Sequence, residues 1–157
     1  MKKRLISWYD KYKKPMPWRL NNDPYRVWIS EVMLQQTQVK TVIPYYEKWM
    51  KKFPSVLSLS QANIDDILKL WEGLGYYSRA QNIKKAADII VKNYSGRFPS
   101  DSHLKELPGI GEYIYAALKS ISFNRPIPVI DGNVKRVAAR FWEQDFLTSK
   151  ELKYICS

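Results

Sequence analysis

Two carboxylates and one glycine-containing hairpin are the residues of this chain best placed for chemistry. Glu31 is the only charged residue between Val27 and Val39, and its helical neighbours Val27 and Leu34 are apolar. A carboxyl on such a face is disfavoured as the anion, so it suits a general acid. The alternative is a buried ion pair with Arg19 or Arg26, since charged side chains are seldom buried without a partner or a role. Asp131, in Val129-Ile130-Asp131-Gly132-Asn133-Val134, reads first as a helix N-cap. One oxygen can cap while the other faces a site, where it would steady a positively charged transition state. Pro108-Gly109-Ile110-Gly111 joins two helical stretches. Its glycines allow positive φ, and the free amides that follow suit a phosphate of DNA gripped without regard to sequence. A plain helix–helix turn would show the same residues.

Gln35, Gln36 and Gln38 follow Glu31, and Trp71-x-Gly73-Leu74-Gly75-Tyr76-Tyr77 comes later. Planar amides and a tyrosine on a glycine-loosened turn can wedge into a duplex or replace a lost base partner. Trp71 and Tyr77 are read as packing residues, and His103, the only histidine, as solvated.

Helices must hold these groups. Leu5, Trp8, Tyr9 and Tyr12 share one face of a helix over 3–13 that Pro15 and Pro17 end. Asp23-Pro24 opens a helix that is apolar nearly all round and therefore buried. Another helix begins at Thr37, is bent by Pro44 and ends near Phe53. Asn63 caps a stretch ending at Gly73, and an amphipathic helix runs from Ser78 to Tyr94 before Gly96. A short helix after Asp101, the hairpin, a helix over 112–123 and one starting at Asp131 or Asn133 follow. Thr148-x-x-Glu151 is a capping box for a last helix. The only strand candidate, 127–130, is weakened by its prolines. The fold class is all-α.

Trp18-Arg19, Asp23-Pro24-Tyr25, Ser30-Glu31-Val32-Met33-Leu34-Gln35-Gln36-Thr37, Gly73-Leu74-Gly75-Tyr76-Tyr77, Leu107-Pro108-Gly109-Ile110-Gly111 and Asp131-Gly132-Asn133-Val134 occur in that order. Together, over about residues 16–140, they resemble the adenine DNA glycosylases of the helix-hairpin-helix glycosylase superfamily. The resemblance implies removal of adenine mispaired with 8-oxoguanine or guanine, by base flipping and carboxylate catalysis, in base-excision repair. It makes Glu31 the acid that protonates the leaving base and Asp131 the carboxylate that stabilises or traps the sugar cation. Asn133, Tyr113, Trp18 and Arg19 fall on pocket positions. Leu34, Gln36 and Tyr76 fall on positions that meet the duplex, and Gly109, Ile110 and Gly111 on the phosphate-gripping hairpin. Ile114 and Tyr115 depart from the smaller or hydroxylated residues of many relatives.

The implied architecture is a six-helix barrel over residues 16–125 with the helix-hairpin-helix motif. Residues 1–15 and 126–157 would belong to a second, incomplete iron–sulfur-type helical domain. Relatives carry a [4Fe–4S] cluster on several cysteines. This chain has Cys156 alone, so the cluster ligands are absent, and no all-cysteine metal site or internal disulfide is available to it. The expectation is an N-terminal portion of the enzyme, weakly active or inactive alone, with residues from Thr148 onward poorly packed.

Charge favours a polyanionic partner, with nucleic acid the leading candidate, and the resemblance implies double-stranded DNA carrying an adenine mismatch. Of 157 residues 26 are Lys or Arg and 15 Asp or Glu, a net +11, of which +8 lies on residues 1–60. Lys2, Lys3, Arg4, Lys11, Lys13 and Lys14 form a solvated basic helix face. No apolar run is long enough to span a membrane, and Met1 to Asp10 lacks the apolar core of an export signal. A bacterial cytoplasmic monomer is expected. Two rivals stand: an endonuclease III-type or other mismatch glycosylase, and a non-catalytic DNA-binding fragment. The lyase members carry a nucleophilic lysine where this chain has Tyr113, which weighs against the first.

Overall fold

The computed structural model describes residues 2–100, 102–144, 148 and 150–152, and these are helical with no strand among them. Asp23 caps α2 (Pro24–Met33) by accepting from the Arg26 amide at 3.0 Å, with Pro24 in the first turn. The rest of α2 is apolar on nearly every side, and it is the most deeply buried helix of the core. It packs against α3 (Val39–Lys52), which contains Pro44, and against α7 (Glu112–Ala117). Asn63 caps α5 (Ile64–Trp71), and α6 (Ser78–Tyr94) lies across both α5 and α4 (Val56–Ser60). The short α4, closed by a Ser55–Ser58 capping box, had no counterpart in the sequence reading.

Trp28, Trp49 and Trp71 are fully buried at the centre. The rings of Trp49 and Trp71 meet edge to face at 5.6 Å. Burying their indole N–H groups requires partners: Trp71 Nε1 donates to the Gly75 carbonyl at 3.0 Å, and Trp49 Nε1 donates at 3.1 Å to the Tyr25 hydroxyl, which in turn donates to the Phe53 carbonyl at 2.7 Å.

The face of α1 (Lys2–Tyr12) that carries Leu5, Trp8, Tyr9 and Tyr12 is exposed, each of the four being more than half accessible. Several expectations change. The helix expected over 112–123 is α7 followed by a π-turn, Leu118–Ser122, in which the Phe123 amide donates to the Leu118 carbonyl five residues back. Residues 127–130 form no strand, because Pro126 and Pro128 have no N–H to give a ladder. Asp131, not Asn133, caps α8 (Gly132–Phe141). The Thr148–Glu151 capping box forms, and Leu152 is buried against Ala138 rather than loose as expected. Asp101 and Cys156 lie outside the described residues.

Candidate functional site

Glu31 sits in the last turns of α2 with 2% of its side chain exposed, at a cavity of about 670 Å³. Both of its oxygens are engaged. Arg19, from a 3₁₀ turn (Pro17–Arg19), donates to Oε1 at 2.8 Å, and the Tyr113 hydroxyl donates to Oε2 at 2.9 Å. The ion-pair reading of Glu31 is therefore realised, with Arg19 and not Arg26, and it coexists with a place on the cavity wall. Burial and the adjacent Glu31 charge push the Tyr113 phenol well above its ordinary range, so it stays a donor.

Asp131 lies on the wall of the same cavity. Its Oδ1 accepts from the Val134 amide at 2.7 Å as the cap of α8, and its Oδ2 accepts from Asn133 Nδ2 at 3.1 Å. Its charge reaches Tyr113 and adds to the rise there. The carboxylates thus come from chain segments far apart in sequence, with the Tyr113 hydroxyl bonded to one and within the field of the other.

Leu34, Gln36 and Tyr76 complete the rim, beside Gln35, Arg79 and Ile130. Gln36 and Tyr76 are both exposed and both adopt positive φ, 60° and 45°. Asn133 is exposed and reaches the cavity only through Asp131. Trp18 is not on the cavity wall: it is 2% exposed and packs edge to face on Tyr46, because an indole fills the core better than it caps a polar rim. Tyr77, read as a packing residue, is exposed instead, whereas Trp71 is buried as expected. His103 is exposed, its ring beside Tyr94.

In the hairpin Gly109 has φ +79°, and a Cβ there would meet the Asn82 side chain at 3.0 Å. Gly111 is different, with φ −80° and open space where a Cβ would stand. Ile110 points inward at 5% exposure, and its amide is spent on the Leu107 carbonyl. Any phosphate contact at Ile110 would thus need atoms other than its side chain and amide. Among the described residues no group of His, Cys, Asp and Glu could hold a metal ion. Sequence reasoning missed Arg79, which had no apolar isolation or motif glycine of its own to draw attention.

A family model described as HhH-GPD superfamily base excision DNA repair protein matches residues 29–156. The chain is 49% identical over 140 residues to an adenine DNA glycosylase of Buchnera aphidicola subsp. Acyrthosiphon pisum, covering 88% of this chain and 40% of that protein. With the human adenine DNA glycosylase it shares 44% identity over 146 residues, covering 87% of this chain and 27% of that protein. The chain thus spans well under half the length of these relatives. Among solved structures, a thermostable thymine-DNA glycosylase superposes with a TM-score of 0.87 at 26% identity, covering 97% of this chain and 73% of that one. A trapped endonuclease III–DNA covalent intermediate gives 0.74 at 20% identity over 99% of this chain and 83% of that one, a likeness of fold.

Proposed function

This chain belongs to the HhH-GPD superfamily of base-excision DNA repair proteins, and from that premise we propose that it carries the catalytic machinery of an adenine DNA glycosylase. The substrate is adenine opposite 8-oxoguanine or guanine in double-stranded DNA, extruded from the stack into the cavity between Glu31 and Asp131. Glu31, a carboxylate paired with Arg19 in the free chain, must bind a proton before it passes one to the base and makes it a neutral leaving group. The carboxylate left behind is received by two donors already in place, Arg19 and Tyr113. As the N-glycosidic bond breaks, its electrons leave with the base and positive charge develops on the sugar. Asp131 faces that charge, and water then adds to C1′, giving its proton to the Glu31 carboxylate and restoring the acid. Paired carboxylates divide the labour similarly in O-glycoside hydrolysis. The observation that carries this reading is the pairing itself: a buried, doubly hydrogen-bonded Glu31 and a cap-held Asp131 on one cavity.

Tyr113 weighs against an endonuclease III-type lyase. A phenol donating to Glu31 cannot form a Schiff base, and among the described residues none lining the cavity is a lysine. The product is then an abasic site in an unbroken strand. Residues 16–125 form the six-helix barrel in this reading, and residues 1–15 with 126–157 contribute to a second helical domain. The [4Fe–4S] cluster of such enzymes needs several thiolates. One cysteine does not fit that requirement, and no step above involves a cluster.

The test is single-turnover incubation of the chain with a duplex carrying adenine opposite 8-oxoguanine. Slow release of free adenine from an unnicked strand, lost in Glu31→Gln while mismatch binding persists, is the expected result. Near-normal excision by Glu31→Gln would remove Glu31 from the chemistry.

A further inference from the structure

Gln36 and Tyr76 share an unusual feature: neither is glycine, yet both hold positive φ at the tips of loops distant in sequence. Such backbones persist where surrounding contacts over-determine them. A single side chain supplies contacts at both places. Arg79 Nη1 donates to the carbonyls of Val32 and Gln35, each at 2.8 Å. Its Nη2 donates to the carbonyls of Leu74 at 2.9 Å and Gly75 at 3.2 Å. The Gln35 carbonyl belongs to the peptide plane that turns about φ of Gln36, and the Gly75 carbonyl to the plane that turns about φ of Tyr76. Pinning those planes pins both tips. The guanidinium is itself held over the rings of Trp71 and Tyr76, at 5.2 and 5.6 Å. It also lies at the C-terminal end of α2, where a cation is favoured by the negative end of the helix dipole.

The geometry points to Arg79 as a positioning residue: one guanidinium fixes both loop tips and so sets the gap between Gln36 and Tyr76 at the cavity mouth. Its consequence for DNA rests on the reading above, in which both tips enter the duplex. A lysine keeps the positive charge but lacks the planar fork that serves two loops at once. Arg79→Lys therefore separates geometry from electrostatics.

Hydrogen exchange tests the coupling without DNA. In the unsubstituted chain the amides of Gln35, Thr37 and Leu74 should open as one unit, with the same dependence on denaturant. In Arg79→Lys they should exchange at least about tenfold faster together, while Leu59 and Gln61 of the α4 region keep their rates. Independent opening in the unsubstituted chain, or acceleration confined to one loop, would overturn the proposal even if the variant folds poorly. In binding, Arg79→Lys should lose about tenfold or more in affinity for the 8-oxoguanine mismatch but less than about threefold for a matched duplex. Equal losses on both duplexes would also overturn it. If Arg79→Lys leaves the coupled exchange intact, the positioning role of Arg79 fails; if the unsubstituted chain and its Glu31→Gln variant release adenine equally, the glycosylase reading fails instead.

Discussion

The helices α2 and α8 each present one carboxylate to the same cavity, but they hold it by opposite means. Glu31 is carried by a helix whose other faces are core, so it owes its place to packing and its pairing to two side chains from elsewhere in the chain. Asp131 stands at the open end of a helix with only Ala138 buried, and its place is set by its own capping bonds. A group that must give up a proton gains from water exclusion and from donors waiting for its anion. A group that must stay charged gains from helix amides, which favour negative charge. Rigid burial suits the first task and a partly open helix terminus suits the second.

The largest effect should come from the buried side of this pair. Glu31→Gln should slow single-turnover excision by about 10³-fold, with mismatch affinity within about threefold because shape is preserved. Isosteric loss at Asp131 splits differently. Asn caps as well as Asp, so Asp131→Asn should unfold within about 0.5 kcal/mol of the parent while excision falls about 10²-fold or more. Equal, large losses of stability and rate would mean that capping is its whole role. Packing should show the same asymmetry in thermal or urea unfolding: Ile29→Ala in α2 should cost about 2–5 kcal/mol. Val137→Ala in α8, at a side chain 63% exposed, should cost under about 0.5 kcal/mol.

Smaller effects refine the picture. Gly109→Ala should destabilise by about 1–2 kcal/mol, since it meets both a positive φ and Asn82. Gly111→Ala should be nearly neutral in the free chain, so any loss of duplex affinity it causes reports directly on a phosphate approaching that atom. Tyr113 gives the pH arm. Its folded-state ionisation lies above the unfolded one, so the stability it provides is complete below about pH 10 and declines as pH rises further. Tyr113→Phe should flatten part of that alkaline decline in urea titrations.

Features governed by near neighbours were legible. Asp23 and Asn63 cap their helices, α6 keeps its expected bounds, and Glu31 is buried. For the caps and for α6 the deciding contacts lie within one or two helical turns, and for Glu31 the apolar residues one turn away already marked its face as buried. Tyr77 was misjudged as a packing residue because apolarity alone does not say which large side chains the core has room for. The π-turn after α7 was also invisible, since one register shift in a helix leaves no mark on hydrophobic spacing.

The sequence by itself determined an all-helical chain, the identity of two candidate carboxylates and a basic surface suited to a polyanion, because propensity, capping and charge are local or additive. Only the tertiary structure decided that Arg19 and Tyr113 converge on Glu31, that Ile110 turns inward, and that one arginine spans two loop tips. Those are contacts between residues remote in the chain. They exist because helices pack at distances and angles set by every side chain in the core at once.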